Sequence, residues 1–575
     1  MKSVFFFLIF SIFSVSQTNY PQDYFRSPLD IPIELSGCFG ELRPNHFHSG
    51  FDIKTQKREG LNVYAVADGY VSRIKISTYG YGKAIYITHP NGYTSLYGHL
   101  SCAVGKIEKF IKDYQYKEKS FEVEIYLKPT DLPLKKGDLV ALSGNTGGSG
   151  GPHLHFEFRD SKTDNIFNPM LFGYDRYIKD SKKPTINGLY VYPIDEQSIV
   201  NQSNKVINIG LRLQPDGTFL AQKIQAFGKI GFGINTFDTF DNPGNKYGIY
   251  KVEVFDNGKS IFGYQFDSFA FEEFRYINAL LDFSRFRLIG QKIQKLFMKN
   301  SYPLKIIKTD ADKGIIDVIN ENMTKVYKII ICDYANNQTE INIPVEYSGL
   351  PPNNIEPIKK SKYLIKCNNE NVFALENVEV SFPEKIFYDD FFMDFKVKND
   401  TVYLHNETIP VHSNFNLTID TKKYSEDKMK KMFIGKLEGK KPEYLPTTRK
   451  GTVFSAKSRE LGTFCLVEDS VAPKISILKP IEGKDLSKEK SISFKILDDL
   501  SGINSFNGFL NGKWILFEYE YKQKKITYDF SDILPNEGKN NLKLVINDNA
   551  GNSSIFETSF TYSSEKISDA KILEK

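Results

Sequence analysis

Short runs in which apolar and polar residues alternate, separated by turn residues, set the strongest limit on how this chain folds. Residues 63–71 and 84–88 are such runs, and the following Asn91-Gly92 is typical of a hairpin turn. Phe and Tyr, which favour strands, number 46 and 33. The pattern predicts a mainly β protein. Its 575 residues give room for about three to five domains, at roughly 100–200 residues each.

One sequence pattern occurs twice in the C-terminal part of the chain, and we call this repeat the echo. Gly248 and Gly502 are each followed nine positions later by Asn-Gly-Lys, and each copy later reaches an apolar strand and an Asp/Ala/Asn turn, at residues 333–337 and 548–552. These are hairpin sequences, so each copy is predicted to be a β-sandwich. The second copy resembles the immunoglobulin-like modules common at the ends of secreted bacterial proteins. This modularity predicts that a chain ending near Lys183 folds on its own.

The composition shifts and Pro-rich boundaries predict six segments. They are a leader, 1–16; an N-terminal domain, 17–180; a β-sandwich with an insertion, 181–348; a β-rich domain of unknown type, 349–470; an immunoglobulin-like β-sandwich, 471–564; and a polar tail, 565–575.

The first sixteen residues predict export. Lys2 precedes an apolar run from Val4 to Val15, and Ser14-Val15-Ser16 offers small residues for cleavage. A spanning helix needs about 18 apolar residues, so a signal peptide is favoured over a short uncleaved anchor. No later segment is long enough to span a bilayer. We expect a protein of the periplasm, the cell envelope or the extracellular space.

Charge and cysteine content exclude several classes of protein. Lys and Arg number 75 and Asp and Glu 70, a net charge of +5, which is too weak to indicate nucleic-acid binding. Five cysteines do not make a disulfide framework. Cys38 and Cys102 could still pair within one domain.

Histidines concentrate near the N-terminus: six of the eight precede residue 156. His46 and His89 stand apart and are predicted to be structural. In a strand, His153 and His155 would point to one face. Two imidazoles and a carboxylate that leave one coordination position open form a catalytic zinc site. Three clusters supply such groups: His48-Ser49-Gly50-Phe51-Asp52, Leu96-Tyr97-Gly98-His99-Leu100 and Gly151-Pro152-His153-Leu154-His155-Phe156-Glu157.

With these clusters and the motifs between them, residues 46–169 resemble the lysostaphin/LytM-type zinc metallopeptidases, which cut peptide bridges in bacterial peptidoglycan. The resemblance implies an antiparallel-sheet peptidase domain in which His48, Asp52 and His155 bind Zn²⁺, while His99 and His153 flank the attacking water. Further shared motifs are Val66-Ala67-Asp68-Gly69-Tyr70-Val71, Gly82-x-x-Ile85-Tyr86-Ile87-x-His89, Lys135-Lys136-Gly137-Asp138 and Gly144-Asn145-Thr146-Gly147.

Two features depart from the resemblance or compete with it. An insertion between Ser101 and Pro133 alters the surroundings of the substrate groove, and within it residues 106–119 have the apolar spacing of a short helix. Residues 147–151 spell Gly-x-Ser-x-Gly. A nucleophilic Ser149 would need a helix after it, whereas Pro152 and a strand follow, so a serine hydrolase is disfavoured.

The sequence therefore predicts an exported zinc endopeptidase that hydrolyses peptide stems or bridges of peptidoglycan. The modules after about residue 180 are expected to bind an envelope protein or polymer and to position the enzyme. Two alternatives remain open: a non-catalytic regulator of another wall hydrolase, and an envelope scaffold or adhesion protein with a vestigial peptidase domain.

Overall fold

The computed structural model describes residues 20–241, 244–349, 357 and 359–563. The predicted leader, 1–16, and the polar tail, 565–575, lie outside the described residues. The remainder is built mainly of antiparallel strands, so the predicted mainly β fold is confirmed.

The N-terminal domain is built on an antiparallel sheet. In the order in which they pair, the strands on its main path are Leu35–Gly37, Phe51–Lys54, His153–Asp160, Tyr93–Ala103, Lys83–Thr88, Gly69–Ile76 and Pro133–Leu134. Shorter strands complete the domain: Leu42–Arg43, His46–Phe47, Asn62–Tyr64, Val123–Tyr126, Leu139–Ser143 and Ile166–Phe167. Two 3₁₀ turns, Pro169–Phe172 and Tyr174–Tyr177, end it.

The predicted strand at residues 63–71 is interrupted. Asn62–Tyr64 and Gly69–Ile76 are strands, but the segment between them bonds to loops instead of a neighbouring strand. Ala65 exchanges backbone hydrogen bonds with the turn at residues 137–138, and the Val66 carbonyl accepts from Arg26 N. Alternation alone does not show this break, because the loop partners are distant in sequence.

The predicted helix in the insertion is present as Gly105–Glu118. It buries Ile107 and Ile111 on one side. The helix packs at the edge of the sheet next to the long strand Tyr93–Ala103.

The second unit consists mainly of β-strands, and its longest strand, Ile224–Phe237, pairs with different strands along its length. This strand pairs antiparallel with Thr185–Pro193 and, through its first residues, parallel with Gln338–Tyr347. The other strands are Ile199–Val200, Ile207–Ile209, Leu211–Leu213, Phe219–Ala221, Lys251–Asp256, Lys259–Gln265, Ser268–Phe269, Gln294–Lys295, Ile307–Thr309, Ile316–Val318 and Thr324–Cys332. Its helical segments are Phe271–Tyr276 (3₁₀), Ile277–Leu280 and Phe283–Ile289.

The first two units share one hydrophobic core. Strand Ile166–Phe167 of the N-terminal domain pairs with Ser268–Phe269 of the second unit. Phe39 stacks on Phe269 with ring centroids 4.4 Å apart. The predicted boundary near residue 180 therefore separates two sheets but not two cores, which differs from the expectation of an N-terminal domain that folds alone.

The third unit contains two five-stranded sheets around a core of its own. One sheet holds Asn371–Leu375, Val378–Phe382, Phe415–Asp420, Val453–Ser458 and Thr447–Lys450, and the other Phe395–Lys398, Thr401–Leu404, Gly462–Glu468, Met432–Glu438 and Lys441–Tyr444. A two-stranded sheet, Tyr363–Ile365 with Phe391–Met393, and a helical turn, Glu426–Met429, are attached.

The fourth unit contains two four-stranded sheets that enclose a separate core. One sheet holds Lys474–Ile477, Ser491–Leu497, Lys525–Asp529 and Glu518–Glu520. The other holds Lys513–Ile515, Ile503–Leu510, Gly538–Asp548 and Ser553–Tyr562. The 3₁₀ turn Tyr521–Gln523 joins Glu518–Glu520 to Lys525–Asp529.

The hairpins predicted from the echo are confirmed. Asn257-Gly258 joins Lys251–Asp256 to Lys259–Gln265, and Asn511-Gly512 joins Ile503–Leu510 to Lys513–Ile515. All four turn residues have positive φ, between 48° and 80°, as a tight two-residue hairpin turn requires.

All five cysteines are free, Cys38 and Cys102 included. Among the helices of the described residues, none is long and apolar enough to cross a membrane.

Candidate active site

Three side chains from two segments converge at the centre of the N-terminal sheet. Asp52 lies on strand Phe51–Lys54 directly opposite His155 on the neighbouring strand. Asp52 Oδ1 is 3.0 Å from His48 Nε2 and 2.8 Å from His155 Nδ1. The three donor atoms lie within 4.8 Å of one another, and all three residues are buried. The cross-strand register thus brings together the three residues that the resemblance assigns to the metal.

The outer nitrogen of each imidazole has an oxygen partner that fixes the ring. His48 Nδ1 is 2.7 Å from the carbonyl oxygen of Cys38. His155 Nε2 is 2.7 Å from Glu157 Oε1. Since a carbonyl or a carboxylate oxygen only accepts a hydrogen bond, the outer nitrogens carry the protons. His48 Nε2 and His155 Nδ1 are then left to face the centre, as metal ligands with such outer partners do.

A buried ion pair supports His155 from below. Glu157 accepts hydrogen bonds from Ser49 Oγ and Tyr81 Oη, both at 2.6 Å. It also pairs with Arg159 at 2.7 Å, and the two side chains are 0% and 1% exposed. Although burial alone would raise the pKa of Glu157, Arg159 and His155 hold it well below its usual range. Glu157 therefore places a permanent negative charge behind the site.

The negative charges of Asp52 and Glu157 favour a cation between His48, Asp52 and His155. Burial alone would lower the pKa of His155, but its hydrogen bonds to Asp52 and Glu157 raise it to about 9. Burial would raise the pKa of Asp52, but the imidazoles of His48, His153 and His155 hold it well below its usual range. The donor set of two imidazole nitrogens and one carboxylate oxygen, with its outer partners in place, fits a metal ion.

The other two predicted site residues flank this centre. His99 and His153 have ring centroids 4.7 Å apart, and His153 Nε2 is 3.4 Å from Asp52 Oδ1. His99 Nδ1 is 2.8 Å from the carbonyl oxygen of Thr146, and His153 Nδ1 is 2.8 Å from that of Gly151. These carbonyls hold the protons on both Nδ1 atoms, so Nε2 of each ring carries the lone pair.

His99 lies at a strained and buried position. Its φ is +59°, a left-handed conformation that non-glycine residues adopt rarely and often at functional sites. Its backbone N–H donates to the Tyr81 carbonyl oxygen at 2.8 Å. Burial lowers the pKa of His99 to about 3, so the ring is neutral at physiological pH.

An open groove of about 860 Å³ runs beside Asp52 and His153. Arg43 lies on its wall and donates to Asp52 Oδ2 at 2.8 Å. Lys54 and Asn245 also line it, and Asn245 comes from the second unit. The groove is thus completed by a residue outside the N-terminal domain.

The fourth unit contacts the N-terminal domain at the insertion and the Gly-rich loop. Glu518 bridges Lys83 and Lys112 at 2.7 and 2.6 Å. Lys522 Nζ donates to the Ser149 carbonyl oxygen at 3.3 Å and also to that of Asn145. The insertion therefore serves as a docking face for the C-terminal sandwich, and the docked lysine contacts the loop next to His153.

Sequence reasoning and structure agree on some residues and differ on others. His46 and His89 lie outside the cluster; His89 bonds to the Asp68 carbonyl oxygen and to Ser95 Oγ. Ser149 Oγ bonds to the Gly151 carbonyl oxygen. The sequence did not indicate that Arg43 contacts Asp52 or that Arg159 pairs with Glu157. A signal existed for Arg159, because it follows His153, His155 and Glu157 at strand spacing.

The comparisons with known proteins identify the class of the N-terminal domain. Residues 46–115 match the profile of peptidase family M23, a span that includes His48, Asp52 and His99. Residues 362–469, predicted only as a β-rich domain, match a Zu5-like domain.

Curated relatives carry peptidase names. An uncharacterized metalloprotease of Haemophilus influenzae is 34% identical over 119 residues, which cover 21% of this chain and 19% of the relative. A DD-carboxypeptidase/endopeptidase of Neisseria meningitidis serogroup B is 33% identical over 112 residues, which cover 20% of each protein. This chain therefore spans about a fifth of each of these relatives.

Two solved peptidase structures are similar to part of the chain. A zinc-containing peptidase from Vibrio cholerae is 26% identical, covering 24% of this chain and 37% of that chain, with a TM-score of 0.18. The lysostaphin catalytic domain from Staphylococcus simulans is 23% identical, covering 24% and 91%, with a TM-score of 0.19. The family match and the curated relatives confirm that the N-terminal domain resembles the LytM-type peptidases.

Proposed function

We propose that this protein is an exported zinc endopeptidase that hydrolyses peptide cross-links of bacterial peptidoglycan. The observation that carries the proposal is the convergence of His48, Asp52 and His155, with donor atoms within 4.8 Å, between two further histidines. The M23 match and the DD-endopeptidase relatives support the same reaction and substrate class.

His48 Nε2, Asp52 Oδ1 and His155 Nδ1 would hold the zinc. When bound, zinc supplies Lewis-acid chemistry: it activates water as a nucleophile and polarises the peptide carbonyl. Three protein ligands leave room for that water, as in other catalytic zinc sites.

His99 and His153 would move protons beside the metal. Their Nδ1 atoms bond to the carbonyls of Thr146 and Gly151, which leaves each Nε2 able to accept a proton from water. After protonation, the same nitrogen can donate to the oxyanion or to the leaving amine. The two backbone carbonyls thereby keep both rings in the tautomer that the reaction needs.

The groove also supports a peptide substrate with carboxylate groups. Arg43, Lys54 and Lys57 line it against two carboxylates, Glu34 and Asp52. Lys54 is paired across the strands with His153 and lies 3.9 Å from Glu34. The excess of cations along the groove would attract acidic stem peptides in an ionic-strength-dependent way.

The test is to incubate the zinc-loaded protein, without its leader, with purified wall sacculi and to identify the released fragments by mass spectrometry. The proposal expects new peptide termini within the cross-links and intact glycan strands. Cleavage of glycan bonds, or no soluble fragments while a known wall hydrolase digests the same sacculi, would contradict it. The regulator alternative expects release only in the presence of a second hydrolase.

A further inference from the structure

Three aspartates from separate segments meet at the start of the second unit. Asp180 lies before strand Thr185–Pro193, Asp238 directly after Ile224–Phe237, and Asp333 directly after Thr324–Cys332. One carboxylate oxygen from each lies within 4.8 Å of the other two. Asp238 and Asp333 are only 2% and 1% exposed. Two of the three carboxylates are thus buried, and Asp180 is half-buried beside them.

One of these carboxylates has an oxygen without a partner. Asp238 Oδ1 is buried and forms no hydrogen bond within the described part of the chain. Burial and the neighbouring Asp180 and Asp333 raise the pKa of Asp238 to about 8. A buried, unpaired carboxylate is strongly destabilising unless a cation or a proton compensates it. Among the described ion pairs, no lysine or arginine pairs with any of the three aspartates, so the protein itself supplies no such cation.

The same arrangement occurs in the second copy of the echo. Asn337 Nδ2 donates to Asp333 Oδ2 at 2.8 Å and to the carbonyl oxygen of Asp180 at 3.3 Å. Asn552 makes the equivalent two bonds at 2.7 and 2.9 Å. The Asp/Ala/Asn turn seen in the sequence therefore holds a carboxylate cluster in both copies. The matching cluster in the fourth unit is Asp469, Asp498 and Asp548.

We propose that Asp180, Asp238 and Asp333 bind a calcium ion. The donors are all oxygen, which favours a hard cation over zinc. Calcium accepts six to eight oxygens in irregular geometry, whereas magnesium requires a near-ideal octahedron and keeps most of its waters. Two buried carboxylates and one half-buried carboxylate on three separate segments fit the first description better.

The ion would fix the junction between the first two units. Asp180 belongs to the segment that leaves the N-terminal domain. The backbone N–H of Asp238 donates to the Tyr247 carbonyl oxygen at 3.0 Å, and Tyr247 Oη donates to the Leu35 carbonyl oxygen at 2.9 Å. Leu35 pairs with Ile53, next to Asp52. Calcium at the cluster would therefore stiffen the contact that supports the strand carrying Asp52.

Calcium binding by the full-length, zinc-loaded protein tests this proposal, with calcium chloride as the only added ligand. Equilibrium dialysis with radioactive calcium counts bound ions, and thermal unfolding reports stabilisation. At 100 times its dissociation constant, calcium should raise the unfolding midpoint by about 5 °C or more. Asp238→Asn and Asp333→Asn should each bind one ion fewer than wild type. Asp317→Asn is the matched control, since Asp317 is exposed and lies outside the cluster.

Without calcium and above pH 8, where Asp238 is ionised, Asp238→Asn is expected to be at least as stable as wild type, because the substitution removes repulsion between carboxylates. Wild-type protein that binds no calcium at millimolar concentration would overturn the proposal. So would Asp238→Asn protein that binds as many ions as wild type, because the ions would then lie elsewhere. Equal stabilisation by magnesium would overturn the choice of calcium.

Discussion

Replacing Glu157 by Gln tests whether the buried charge below the site supports metal binding. The substitution keeps the side-chain shape but removes the charge paired with Arg159, and both side chains are almost fully buried, at 0% and 1% exposed. Loss of one partner from a buried ion pair costs about 3–5 kcal/mol. Arg159 keeps Asp164 as a partner at 3.1 Å, so we expect about 3 kcal/mol.

The same substitution should weaken zinc binding. Glu157 accepts the Nε2 proton of His155 at 2.7 Å and makes the ring a better donor. Loss of such an outer partner lowers metal affinity roughly 10–100-fold. A neutral amide at this position can also rotate to present its NH₂ group, which cannot accept that proton.

Two measurements decide the outcome for Glu157→Gln. Urea titrations give the free energy of unfolding, and competition with a chromophoric chelator gives the zinc affinity. Glu59→Gln is the control, because Glu59 is exposed and is not part of the ion pair. An unfolding free energy within about 0.5 kcal/mol of wild type, the usual range for a surface substitution, together with unchanged zinc affinity would refute the reasoning.

Three further predictions follow from the same structure. His155→Ala should yield zinc-poor protein, whereas His153→Ala should keep its zinc and lose about a hundredfold or more in hydrolysis rate. Metal analysis of both variants beside a hydrolysis assay separates the two roles. Equal loss of zinc from both variants would refute the assignment. The pKa of Glu518 is lowered to about 2, so its pairing stabilises the protein above pH 4.5 and is lost as pH falls toward 2. After a discount for partial exposure, Glu518→Gln should lower the free energy of unfolding by roughly 1–2 kcal/mol at pH 7 and by almost nothing near pH 2. Unfolding experiments at both pH values, with Glu482→Gln as control, measure this difference. A loss of unfolding free energy that does not depend on pH would contradict the prediction. A chain ending at Lys183 should be poorly soluble or unfolded, because it exposes the core that the first two units share. A soluble fragment that unfolds cooperatively and keeps zinc would show that the N-terminal domain folds without the second unit.

Much of the site could be predicted because local motifs, and the family that they resemble, point to the same residues. His153 and His155 are two residues apart, and strand geometry alone places them on one face. The Asn-Gly hairpins were predictable for the same reason, since both turn residues must adopt positive φ. Features that depend on neighbouring residues in the sequence were therefore accessible before the fold was known.

Long-range register was not accessible in the same way. Asp52 lies opposite His155 because two strands 103 residues apart pair in one register, and no local pattern specifies that register. Arg43 reaches Asp52 from a separate short strand. The shared core depends on Phe269, whose position follows from the second unit's fold. The sequence and its family resemblance thus named the residues that converge at the candidate site, but not the residues that support them from a distance.

Zinc titration of metal-free full-length protein tests the central claim most directly. Release of free amino groups from purified sacculi should rise with added zinc and reach a plateau at about one equivalent, the count for one three-ligand site. Asp52→Ala protein should stay at background under the same conditions. Undiminished release by metal-free protein, or wild-type release by Asp52→Ala, would contradict a metal-dependent peptidase at His48, Asp52 and His155.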